Sequence, residues 1–182
     1  MCGKSTFFNY IIGEKLSIVE DKPGVTRDRV YADTDWRGRK FTLIDTAGME
    51  PKSEDIIEMS MREQVQIAID IADVILFITD IKQGITEADK DIANLLRKTK
   101  KPIVLVCNKA DKFGKESDDI YEFYNLGLGD PFAVSSANAK GIGDVLDEVY
   151  NHFPKEEEGE QDESEIKVAL IRKAKRTENH HS

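Results

Sequence analysis

Four consecutive residues, Asn108-Lys109-Ala110-Asp111, follow the apolar run Pro102-Ile103-Val104-Leu105-Val106-Cys107, and they have the chemistry to select guanine. Guanine shows a ring N1–H beside an exocyclic amino group, and a carboxylate at Asp111 can accept both protons, while adenine offers no such pair. The Asn108 side chain can fasten neighbouring loops or accept from the purine edge. The aliphatic stem of Lys109 can cover the flat face of the ring. Upstream, Gly3-Lys4-Ser5-Thr6 opens an amphipathic segment, Phe7-Phe8-Asn9-Tyr10-Ile11-Ile12, that reads as a helix. Backbone N–H groups at a helix N-terminus, a glycine for close approach, a lysine for the terminal phosphates and a serine hydroxyl for Mg²⁺ form a phosphate cradle. The complete motif is G-x-x-x-x-G-K-[ST] after a strand, and only its second half is present here.

A third motif, Asp45-Thr46-Ala47-Gly48, follows the strand-like Lys40-Phe41-Thr42-Leu43-Ile44. That spacing puts a carboxylate at the C-terminal end of a strand, where ligands bind in open parallel sheets, although a plain turn uses the same residue types. Asp45 is expected to hold Mg²⁺ through water. Thr46, Ala47, Gly48 and Met49 would line the nucleotide, with the Gly48 amide toward the γ-phosphate. Thr26, in Pro23-Gly24-Val25-Thr26-Arg27-Asp28, would close over the metal only when a third phosphate is present. Farther on, Ser135-Ser136-Ala137 would bring a backbone amide, that of Ser136, against guanine O6. The expected metal ligands are therefore Ser5, Thr26 and Asp45, with Lys4 and Thr26 serving hydrolysis.

Periodicity supplies the elements that must carry these residues. Strands are expected at Arg29 to Trp36 and Lys40 to Asp45, joined as a hairpin at Arg37-Gly38-Arg39, then at Val74 to Thr79, Ile103 to Cys107 and Phe132 to Ser135. Helices are expected at Ser5 to Ile12, Ile56 to Ile71, Glu87 to Lys98, Ser117 to Leu126 and Ile142 to Phe153. Apolar strands alternating with amphipathic helices predict an α/β, doubly wound, mostly parallel sheet with one antiparallel edge hairpin. The division read from composition is a nucleotide-binding domain over 1–153, an acidic linker over 154–165, and a strand with a basic tail over 166–182.

At 182 residues the chain is long enough to bury a full core, and no stretch is long and apolar enough to span a bilayer. Its formal charge of −9 argues against a broad basic surface for nucleic acid, because phosphate neutralisation dominates that affinity. Much of the negative charge lies in Glu156-Glu157-Glu158-Gly159-Glu160-Gln161-Asp162-Glu163, a self-repelling linker. Two distant cysteines, Cys2 and Cys107, indicate a reducing, cytoplasmic setting with a packing role for Cys107. His152, His180 and His181 lack ligand spacing to them, so a zinc site is not expected.

These motifs resemble the translational GTPase-like superclass of P-loop NTPases. The segments Gly3 to Tyr10, Ser17-Ile18-Val19-Glu20-Asp21-Lys22-Pro23-Gly24-Val25-Thr26-Arg27-Asp28-Arg29 and Tyr121-Glu122-Phe123-Tyr124-Asn125-Leu126-Gly127-Leu128-Gly129-Asp130-Pro131 are similar to the first GTPase domain of the Der (EngA) family. That family carries two such domains in tandem and a KH-like domain, and acts in assembly of the large ribosomal subunit. The resemblance implies GTP and GDP as ligands, Mg²⁺ and K⁺ as ions, and a large-subunit precursor as partner. ATP is the poorer fit, and a non-catalytic guanine-nucleotide binder is the alternative.

The departures from the family are as specific as the match. A Der chain would have a strand and Gly-Arg-Pro-Asn-Val before the position of Gly3. Ile166-Lys167-Val168-Ala169-Leu170-Ile171 resembles the opening strand of the second GTPase domain, yet Arg172-Lys173-Ala174-Lys175-Arg176-Thr177 follows in place of a phosphate loop. Codons permitted for Arg172 to Arg176, read one base later, can spell Gly-Lys-Pro-Asn-Val, so a shift of reading frame would account for this. The missing first strand should leave a central slot. Ile166 to Ile171 is expected to fill it, parallel, between the strands holding Phe41 to Ile44 and Val74 to Ile78, within one molecule or by exchange between two, because bare strand edges invite pairing. Hydrolysis should be slow: many signalling GTPases place a water-orienting glutamine after the glycine of this motif, and here that residue is Met49. Arg27 and Arg29 are candidate charge donors whose commoner fate is a solvated salt bridge.

Overall fold

The computed structural model describes residues 30–49, 60–110, 118–135, 140–155 and 165–172. Of the predicted site residues, Gly3, Lys4, Ser5, Thr6, Thr26, Asp111, Ser136 and Ala137 lie outside this set, as do Arg27, Arg29 and the predicted first helix.

Burial along the first strand, β1 (Tyr31–Trp36), alternates, with Ala32 and Thr34 inward and Tyr31 and Asp33 outward. That is the pattern of an edge strand with one wet face. Two successive left-handed residues, Arg37 at φ 50° and Gly38 at φ 81°, turn the chain into β2 (Arg39–Asp45), the conformation a tight hairpin demands. From Phe41 onward every residue of β2 is buried. Three more strands read as nearly continuous apolar runs: β3 (Val74–Asp80), β4 (Ile103–Asn108) and β6 (Lys167–Arg172). Such runs suit parallel strands covered on both faces. The short β5 (Phe132–Ala133) completes a six-stranded sheet in the order β1-β2-β6-β3-β4-β5, in which only β1 is antiparallel.

The strand that arrives last in the chain therefore lies in the middle. Leu43 pairs with Val168 and Asp45 with Leu170 on one side, and Leu76 pairs with Leu170 and Ile78 with Arg172 on the other. Thr42 N–H donates to Ile166 O at 2.8 Å, and Asp73 N–H to Lys167 O at 2.8 Å, so both neighbours hold the entry of β6. The predicted filling of the central slot is what the sheet shows.

Strand periodicity then sorts β6 between two cores. Val168 and Leu170 join Leu43, Leu76 and Val104 beneath helix α3 (Ile142–Asn151), which contributes Ile142, Val145 and Val149. Ala169 and Ile171 face the opposite layer with Ile75 and Phe77, beneath α1 (Met61–Ile71) and α2 (Glu87–Leu96). Burying side chains of this size contributes roughly 1.5–3 kcal/mol each, so β6 is a principal contributor to the core.

Helix ends are set by local hydrogen bonds. Ser60 Oγ accepts from Glu63 N–H at 3.2 Å and starts α1 at Met61, five residues after the predicted Ile56, in a region where 50–59 lie outside the described residues. Thr86 and Asp89 form a reciprocal capping box on α2, which ends at Leu96 rather than Lys98. The helix predicted from Ser117 to Leu126 is a 3-10 helix over Asp118–Leu126. Its buried residues, Ile120, Phe123 and Leu126, recur every third position, and Tyr121 stacks over Tyr124 at 6.3 Å, as three residues per turn require. Helix α3 ends at Asn151, two residues short of Phe153, and that phenyl ring packs on Phe41 at 5.3 Å. Among the described residues no helix is long and apolar enough to cross a membrane.

Candidate functional site at the C-terminal rim of the sheet

The parallel strands all end on one rim, and their last residues carry the polar chemistry: Asp45 on β2, Arg172 on β6, Asp80 on β3 and Asn108 on β4. Beyond β2 the chain turns at once into a 3-10 turn, Thr46–Gly48. Asp45 Oδ1 accepts from Ala47 N–H at 3.2 Å, and Met49 N–H closes the turn on Thr46 O at 3.3 Å. Thr46 is fully buried, and its hydroxyl donates to Leu170 O at 2.7 Å while lying 3.0 Å from the amide head of Gln64. Its side chain thus belongs to the core and clamps the turn to β6. Gly48 is exposed and a Cβ there would meet Val30 Cγ2 at 3.3 Å, so the glycine keeps the backbone close to β1.

The Arg172 guanidinium donates to both Asp45 carboxylate oxygens, Nε to Oδ1 at 3.1 Å and Nη2 to Oδ2 at 2.5 Å. Both side chains are largely buried, at 12% and 9% exposure for Arg172 and Asp45, so the pair is not loosened by solvent. An Mg²⁺ ion keeps most of its waters and demands octahedral oxygen geometry. With both oxygens accepting from a guanidinium, the Asp45 carboxylate is neutralised by a built-in cation in this arrangement.

At the far side of β3 the Asn-Lys turn takes shape. Lys109 adopts a left-handed φ of 65°, uncommon for a side-chain-bearing residue and a form of strain found where geometry is over-determined. Its ammonium reaches Asp80 Oδ2 at 2.9 Å, and the other Asp80 oxygen accepts from Lys82 N–H at 2.9 Å. Asn108 is buried, and its carbonyl accepts from Ile81 N–H at 2.9 Å. The next amide, Ala110 N–H, donates to Val134 O at 3.0 Å, and Val134 N–H donates to Cys107 O at 2.9 Å. These bonds stitch the Asn-Lys turn to the strand leading into Ser135. Ser135 and Lys140 exchange two backbone bonds of 3.0 Å each, which tie the end of the β5 segment to the approach of α3. Gly141 then starts α3 at φ 80°, where a Cβ would come within 2.6 Å of Ala133 O. Only glycine fits, and it fixes the start of α3 against β5.

The structure therefore brings Asp45, Ala47, Gly48 and Met49 together with Asn108, Lys109 and Ser135 along one rim. Two residues on this rim were not foreseen as partners, Arg172 for Asp45 and Asp80 for Lys109. The signal for Asp80 was a strand running one residue past its predicted end at Thr79.

A mostly parallel α/β sheet with these loops at its C-terminal rim is a P-loop GTPase fold, and the solved G-domain of FeoB from Methanococcus jannaschii shares it, with a TM-score of 0.55 at 22% identity over 82% of this chain and 89% of that one. The chain belongs to the family of 50S ribosome-binding GTPases, whose model matches residues 2–109. It is similar to GTPase Der of Acetivibrio thermocellus and of Ruminiclostridium cellulolyticum, each at 56% identity, and of Clostridium acetobutylicum at 58%. Each alignment covers 94% of this chain but 39% of the relative, so the chain spans about two fifths of their length. The resemblance to a Der GTPase domain carried by the motifs agrees with these relatives.

Proposed function

We propose that this chain binds guanine nucleotide across the C-terminal rim of its sheet and is a slow GTPase of the Der type, acting in the cytoplasm on a precursor of the large ribosomal subunit. The observation that carries the reading is the stitching of the residues flanking the Asn108-Lys109 turn to Val134, one residue before Ser135, because guanine recognition needs those two segments side by side. In this reading Asp111 accepts from the ring N1–H and the exocyclic amino group, and the Ser136 amide donates to O6. The Lys109 stem covers the ring, its ammonium held aside by Asp80. Gly3, Lys4, Ser5 and Thr6 cradle the phosphates at the N-terminus of a helix. The Gly48 amide lies on an exposed turn where a terminal phosphate could be met. Ser5 and Thr26 remain the candidate metal ligands, and K⁺ the candidate monovalent ion.

Slow turnover follows from Met49, a thioether that cannot orient water. The second reading, a guanine-nucleotide binder without catalysis, is favoured by the guanidinium seated on Asp45. Thermal melting with GDP, ADP and no ligand tests the first step: GDP should raise the midpoint and ADP should not. Asp111→Asn should shift preference from GDP toward xanthosine diphosphate. An unchanged midpoint at saturating GDP would sink the assignment. Phosphate release from GTP, in potassium against sodium, then separates a slow enzyme from a binder.

A further inference from the structure

The Asp45 carboxylate and the Arg172 guanidinium meet as a planar fork on a planar acceptor, the arrangement that gives arginine its strongest pairing. Arg172 closes the central strand, and its backbone is held in register with Ile78 of β3, two residues beyond the Leu170–Asp45 pairing that ends the ladder on the β2 side. Two of its three nitrogens are spent on Asp45. The third, Nη1, is buried and has no hydrogen-bond partner among the described residues. A buried donor of this kind is costly unless an acceptor arrives. On this rim the ligand expected to bring one is the phosphate of a nucleotide.

We propose that Arg172 holds the cation position at Asp45 and offers Nη1 to a nucleotide phosphate, so that this chain grips GDP without help from a divalent ion, which is left to Ser5 and Thr26 when a third phosphate is present. The proposal deepens, and rests on, the guanine-nucleotide reading above. A divalent cation normally links such a carboxylate to the phosphates, cancelling repulsion between two anions. A guanidinium shared between them does the same with a charge that is built into the fold and cannot be chelated away.

The test uses the whole chain and fluorescent GDP, titrated with Mg²⁺ and again in EDTA. Native protein should bind with affinities that agree within about threefold in the two media. Arg172→Met keeps an apolar stem of similar length and exposes the Asp45 charge, so its affinity should fall about tenfold in EDTA and recover with Mg²⁺. Arg172→Lys, which keeps the charge and the strand but loses the fork, should fall between the two. Tenfold or greater dependence on Mg²⁺ in the native chain, or equal dependence in all three proteins, overturns the proposal.

A second arm needs no nucleotide. Asp45→Asn should lower the urea midpoint of the native chain and of Arg172→Lys, because it leaves a buried cation unpaired, and should raise that of Arg172→Met, where it removes an unpaired buried carboxylate. Equal losses in every background overturn the pairing. Absence of GDP binding in both media overturns the function proposed above and the nucleotide half of this inference, while the urea cycle decides the cation half by itself.

Discussion

Single residues on this rim are defined by what sits opposite them. Asp45 and the Asn108-Lys109 pair could be read as chemically equipped positions at strand ends, because an apolar run followed at once by a polar turn marks such ends. Their partners could not: Arg172 lies 127 residues from Asp45, and which side chain faces a carboxylate across that span depends on strand register. Cys107 was legible as a packing residue, and its thiol is fully buried 3.5 Å from Thr79 Oγ. Burial pushes the thiol from its ordinary 9.0 up to about 12, against a small opposing effect of the Thr79 contact. The folded chain thus keeps its proton where the unfolded chain loses it. The stability this contributes is intact below pH 9 and drains away as pH rises toward 12. Urea midpoints of the native chain should accordingly fall more steeply over that range than those of Cys107→Ala, and iodoacetamide at pH 8 should label Cys107 only after denaturation.

At the scale of elements, β6 decides whether the sheet exists. Its side chains divide between both cores, and without it β2 and β3 would each present an unpaired edge, the kind of surface that recruits other chains. Leu170→Asp places a charge among Leu43, Leu76 and Val104 with no counter-ion, and should cost at least about 3 kcal/mol in urea unfolding. Lys167→Ala, on a half-exposed position of the same strand, should stay within about 0.5 kcal/mol of the native chain. The apolar, β-branched content of this strand made it legible, as did the need to fill a central slot. The stretch Asp118–Leu126 was legible as helical, while its 3-10 winding was not, because Ile120, Phe123 and Leu126 at three-residue spacing fit one face of either form. Helix starts such as Ser60 were hidden for a related reason: a cap is one hydrogen bond, and several serines and threonines near a periodic stretch could make it.

For the molecule as a whole, the α/β class and the mostly parallel sheet followed from alternating apolar strands and amphipathic helices, and the fold shared with the FeoB G-domain agrees. What the pattern could not reveal is the spatial order of the strands, since periodicity assigns faces and not neighbours. That order has a consequence for how the protein comes into being. A ribosome delivers β2 and β3 long before β6, and the two must wait apart, each with an open flank, until the strand that belongs between them is released. Pairings so remote along the chain form slowly, and the waiting flanks are sticky. Arrested nascent chains that still hold Arg172 inside the exit tunnel should be cleaved readily by protease throughout β2 and β3, and should become resistant only once that residue has emerged. Synthesis and closure of this sheet are thereby tied to the same moment.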